Sequence, residues 1–183
     1  IKNNNNHIRI KELSEYFTDS IFLFMIRDPL EHAKSLLSQH INFSLQQKHN
    51  PYILEYMKLI GHEEFGLNSK PFVYPKDKLN WFENKDKMSL DYWLFQWINT
   101  YKWFLEEVIS SSKNIFLISY EDLCSKKYLY SKICELIKIK KHSPNLPFKL
   151  SQKTDQKDKI AVNNSYLNIA KSIYKDLLDF SFK

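Results

Sequence analysis

The sequence predicts a helix-rich α/β fold with a parallel sheet flanked by helices, and three observations lead there. Two short apolar runs of strand length, Ile21–Ile26 and Ile115–Ile118, stand far apart in the chain. Between and after them, apolar residues recur every three or four positions, which is the spacing of helices that bury one face. Strands separated by helical stretches pair in parallel, because parallel neighbours need a long crossover. Two strands alone make a poor sheet. The reading therefore expects further strands upstream and a chain incomplete at its N-terminus, with Ile1 standing where a methionine would begin.

Ile8–Phe17 is predicted as a short helix from Ile10, Leu13 and Phe17. Asp19-Ser20 turns the chain into Ile21–Ile26, an unbroken apolar run that reads as a strand buried on both faces. Asp28 then offers an N-cap and Pro29 a first helical residue, so a helix runs from there to about Gln47 with Leu30, Ala33, Leu37 and Ile41 inward. Pro51 opens a second helix to about Ile60. Gly61–Lys87, with two glycines and two prolines, reads as a long loop of the kind that carries function. Within Ser89–Ser110, a wide stripe of Leu90, Trp93, Leu94, Trp97, Tyr101, Phe104, Leu105 and Val108 predicts the clearest helix. Ile115–Ser119 is the second strand. A helix within Lys127–Ile139 buries Leu129, Ile133, Leu136 and Ile137. After a polar loop around Pro144–Asn164, a last helix turns Leu167, Ala170, Tyr174 and Leu177 inward.

The 183 residues suffice for one domain, 1–183, with a real core. At 43% hydrophobic and 26% charged the chain is neither disordered nor membrane-spanning in pattern. Only two glycines occur, which leaves no room for a glycine-rich phosphate loop or dinucleotide fingerprint. A net charge of +6 favours an anionic partner or a lysine-rich solvated surface. Cys124 and Cys134 stand in no metal-ligand spacing, and two isolated thiols suit a reducing compartment. His62-Glu63-Glu64 is the nearest approach to a metal cluster, and it reads as a polar loop; no metal is expected.

The sharpest local feature is Arg27-Asp28-Pro29 at the carboxyl end of a strand, with Ser35 on the helix that follows. Ligands of open α/β sheets bind outside the carboxyl ends of the strands. An arginine fork, a helix N-terminus and a hydroxyl together suit a dianionic phosphate; alternatively Arg27 pairs with Asp28 or Glu31. The stretch Phe22–His40, FLFMIRDPLEHAKSLLSQH, resembles the strand-Arg-helix-Ser motif of sulfotransferases that use 3′-phosphoadenosine 5′-phosphosulfate. Ile115–Leu123, IFLISYEDL, resembles the later strand and Tyr-Glu-Asp turn of that family. Tyr56-Met57 with Gly61–Gly66 is similar to an insertion of one bacterial-type branch, and Ala170–Leu177 to the end of bacterial members.

The resemblance implies a P-loop-NTPase-like sheet and transfer of a sulfonate group to an acceptor hydroxyl or amine. The activated donor would be 3′-phosphoadenosine 5′-phosphosulfate (PAPS) and the product adenosine 3′,5′-bisphosphate (PAP), with no metal. It assigns Arg27 and Ser35 to the 3′-phosphate, Tyr120 to the adenine and Lys2 to the transferring sulfonate. His7 reads either as a fallback base or as a polar helix-start residue. His40, His62, Glu63 and Trp81 are the acceptor-lining candidates, each with a structural reading beside it. Family members also carry a lysine-containing loop that grips the 5′-phosphosulfate; nothing in this chain plays that part, so the chain by itself is expected to be inactive. A cytoplasmic location follows from the bacterial-type resemblance, with a lumenal one as the alternative. Two other functions stay open: a nucleotide-binding module without catalysis, and a basic helical nucleic-acid-binding module. The one-sided aromatic stripe and the acidic interruptions Asp155 and Asp158 in Lys141–Lys159 speak against the second.

Overall fold

Local chemistry sets the ends of the elements. In the computed structural model, which describes residues 4–74, 85–109, 113–140 and 162–183, a 3-10 turn over Asn4–Arg9 leads into α1, Ile10–Tyr16. Strand β1 spans Phe22–Ile26 and α2 spans Pro29–His49. Proline begins α2 because the N–H it lacks would have no helical partner there. The Asn50 side chain accepts a hydrogen bond from the Tyr52 N–H at 3.1 Å and so caps α3, Pro51–Leu59. Ser89 caps α4, Leu90–Trp103, in the same way, and α4 runs on into a π-helical turn over Phe104–Val108. Strand β2 is Ile115–Ser119. The Ser119 hydroxyl accepts from the Asp122 N–H at 3.1 Å and starts α5, Tyr120–Ser125. Helices α6, Lys127–Leu136, and α7, Asn164–Asp179, complete the order.

The two strands pair in parallel, with Phe22 opposite Ile115 and Ile26 opposite Ser119. This is an α/β arrangement rich in helix, and residues 27–114 form the crossover. Near the C-terminus, Ser181 bridges Leu117 in parallel and the Phe182 N–H donates to the Leu117 carbonyl at 2.8 Å.

The chain divides into two compact units. The first comprises Ile1–Asp28, Leu105–Lys159 and Tyr174–Lys183. Its core gathers Ile118, Leu129 and Ile133, with Leu123, Ile137 and Phe182 packed against them. The Asn114 side chain ties this unit's helix and sheet, donating to the carbonyls of Ser14 at 3.2 Å and Phe17 at 3.1 Å. The second comprises Pro29–Phe104 and Ile160–Ile173, and in it α2 packs against α3 and α4. Ala33 and Leu37 of α2 are buried, as are Leu90, Trp93, Leu94, Trp97, Ile98 and Tyr101 of α4. Each large apolar side chain so buried contributes about 1.5–3 kcal/mol.

Two packing expectations need correction. The run Ile21–Ile26 is not buried on both faces: Leu23 is 43% and Met25 47% exposed, whereas Ile26 is fully buried. An apolar run does not reveal which face is covered; the two-residue period of a strand sorts it into two sides. On α2 the inward line passes not through Ile41, which is exposed, but through His40, Ser44 and Gln47. His40 and Gln47 hold that line because each accepts a backbone N–H of the loop that follows α3. Among the described residues no helix is long and apolar enough to cross a membrane.

Candidate functional site

The register of the sheet decides what stands beyond its carboxyl edge. Ile26 and Ser119 are partners, so Arg27 and Tyr120 are the next residues out on adjacent strands. The Arg27 guanidinium carbon lies 5.0 Å from the centre of the Tyr120 ring, within range of a cation–π contact. No ion pair of Arg27 is found among the described residues. Glu31, the other acidic candidate, pairs with Lys34 at 2.8 Å.

Behind this pair lies a carboxylate network of the same unit. Glu121 Oε1 accepts the backbone N–H of Asp28 at 3.0 Å. Glu121 Oε2 accepts the Tyr174 hydroxyl at 2.7 Å and the Ser119 hydroxyl at 3.4 Å. Burial foremost, and then the bond to Glu121, push the Tyr174 hydroxyl well above its usual titration range, so it remains a donor. Asp122 faces away to Lys126 at 2.8 Å.

Of the residues assigned to the donor, Arg27 and Tyr120 therefore stand together. Ser35 sits half-buried on α2, in the second unit. His7 lies half-buried in the 3-10 turn of the first. Lys2 and Trp81 lie outside the described residues.

The acceptor candidates of the second unit are engaged within it. His40 is 3% exposed, its ring 5.3 Å from that of Trp93, and its Nδ1 accepts the Gly66 N–H at 3.2 Å. That bond places the single proton of the neutral ring on Nε2. Burial first, and the nearby Lys87 second, lower its pKa against a weaker opposing pull from Asp86. His62 Nδ1 meets Glu64 Oε1 at 2.9 Å, while Glu63 pairs with Lys70 at 2.6 Å. Beside His40 on α2, the buried Gln47 accepts the Leu67 N–H at 2.7 Å and donates to the Met57 sulfur at 3.1 Å. Lys87, its pKa lowered by burial, donates to the Ser69 carbonyl. Residues 62–70 are thus braced by their own and neighbouring side chains.

Sequence reasoning missed Tyr174 and Gln47 as polar anchors. A signal existed for Tyr174: a tyrosine on the inward line of a helix needs a partner for its hydroxyl, and Tyr120-Glu121-Asp122 offered a carboxylate at a strand end. Gln47 carried none beyond its place on the helix. Among the described residues no group of three or more His, Cys, Asp or Glu side chains is gathered as for a metal ion.

Comparisons with known proteins found no matching family profile, no matching curated protein and no matching solved structure.

Proposed function

We propose that the chain is part of a P-loop-NTPase-like sulfotransferase that moves a sulfonate group from PAPS to an acceptor hydroxyl or amine, releasing PAP. One observation carries the proposal. Arg27 stands just beyond the carboxyl end of a parallel strand, beside the aromatic ring of Tyr120. A guanidinium offers donors in a planar fork and no acceptor, which suits a dianionic phosphate. A tyrosine ring beside it suits a purine. Together they match one end of a 3′-phosphorylated adenosine, the end that distinguishes this donor from ordinary adenine nucleotides.

The donor supplies the sulfonate already activated. What remains for the protein is to hold donor and acceptor in line, meet the charge on the non-bridging oxygens and remove one proton. In this reading Arg27 grips and orients the 3′-phosphate, and Tyr120 supports both Arg27 and the base. Lys2 is assigned to the sulfonate by resemblance alone. Cys124 and Cys134 are both unpaired, and the proposal sets the reaction in the reducing cytoplasm.

Calorimetric titration of this chain with PAP and with 5′-AMP tests the proposal. The expected outcome is tighter binding of PAP, lost in Arg27→Ala by about 1.5–3 kcal/mol, roughly tenfold or more in affinity. Equal binding of the two nucleotides by the folded chain, unchanged in Arg27→Ala, would sink the assignment of Arg27.

A further inference from the structure

We infer that Glu121 is a positioning residue for Arg27 and that Tyr174 holds Glu121 in its working orientation. The inference rests on the proposed function for its meaning, and on four contacts of one unit for its geometry. The dipeptide Tyr120-Glu121 reaches Arg27 from two sides. The Tyr120 ring lies beside the guanidinium at 5.0 Å. The Glu121 carboxylate accepts the N–H of Asp28, the peptide that immediately follows Arg27, at 3.0 Å. With that peptide plane held, the backbone leaving β1 has a defined direction at the residue that must present its side chain.

Glu121 is itself held. Its second oxygen takes the Tyr174 hydroxyl at 2.7 Å and the Ser119 hydroxyl at 3.4 Å. Three donors on one carboxylate leave it few alternative rotamers, since each alternative gives up a hydrogen bond from a buried or half-buried donor. Ser119 also caps α5, so the same turn fixes the start of that helix. Tyr174 of α7 thereby acts on the strand end through its hydroxyl. Glu121 needs no contact with substrate for this; it governs where Arg27 can point.

Hydrogen exchange of the full chain, read residue by residue by NMR, tests the clamp without any ligand. The ratio of Asp28 to Ile118 amide protection is the measure, because general destabilisation moves both amides and loss of the clamp moves Asp28 alone. Glu121→Ala should lower the ratio at least tenfold and Tyr174→Phe severalfold. Glu121→Gln, which keeps an acceptor for the Asp28 N–H, should retain it within about twofold. PAP affinity should follow the same order, with 5′-AMP affinity equal in all variants. If Glu121→Ala does not fold, Tyr174→Phe alone decides. An unchanged ratio overturns the clamp, and a fallen ratio with undiminished PAP preference overturns its role in positioning Arg27. A wild-type chain without any 3′-phosphate preference rejects the sulfotransferase reading instead, and the exchange ratio then still judges the clamp.

Discussion

His40 and Gln47 stand two turns apart on α2, and each accepts a backbone N–H of the same loop, from Gly66 and Leu67. The His40 bond exists only while Nδ1 is unprotonated. Its folded pKa is depressed below the ordinary value of about 6.5, so the folded form binds fewer protons than the unfolded chain in that window. The stabilisation is therefore full above about pH 6.5 and is lost as pH falls through the lower, folded value. Urea unfolding between pH 7.5 and 5 should show wild type losing more stability than His40→Asn, whose amide oxygen takes the place of Nδ1. Parallel curves for the two proteins would reject this. Gly66 gives a sharper contrast. It adopts φ +88°, and an added Cβ would come within 2.3 Å of Gln47 Oε1. Gly61 adopts φ +71° with nothing within 4 Å of such a Cβ. Gly61→Ala should cost about 1–2 kcal/mol from the backbone alone. Gly66→Ala should cost about 1–3 kcal/mol more, since Gln47 must leave its buried partners. Equal losses in denaturant melts would show that Gln47 yields freely.

At the scale of elements, α6 depends on Leu129, which is 1% exposed and packed with Ile118 and Ile133. Leu129→Ala should cost about 2–5 kcal/mol in thermal or urea unfolding, and a loss under about 1 kcal/mol would mean the core closes over the gap. Such elements were legible because their apolar periodicity is strong. The stripe on α4 predicts Leu90, Trp93, Leu94, Trp97 and Tyr101 as core, and all are buried. Ile115–Ser119 is the strand expected, and Pro29 and Pro51 begin the helices expected of them. What the pattern does not carry is anything decided by a distant partner. The π-helical turn at Phe104–Val108 leaves no mark in residue spacing. Neither does the burial of His40 and Gln47, since their partners lie in a loop whose path is set by tertiary contacts. In the candidate site, Arg27 and Tyr120 were legible as two strand ends, whereas their adjacency required the register.

For the whole molecule, each unit carries its own buried core, and the first is assembled from three separate segments of chain. Local opening should respect that division. Native-state hydrogen exchange in Leu129→Ala should accelerate the amides of β1, β2 and α6 while those of α4 keep most of their protection. Uniform acceleration would instead make the chain one cooperative body. The division also bears on folding speed. The pairing of β1 with β2 is a contact of long sequence separation, the kind that slows folding, while α2, α3 and α4 meet through nearer residues.

The crossover over residues 27–114 has a further consequence, which belongs to the ribosome. Translation proceeds at about 5–20 residues per second, so Phe22–Ile26 leaves the exit tunnel roughly 4–18 s before Ile115 does. Through that interval the five-residue apolar segment waits for β2, the strand that pairs with it among the described residues. Until then the side of β1 that β2 covers must be shielded by something else, and slower synthesis of the crossover lengthens the wait.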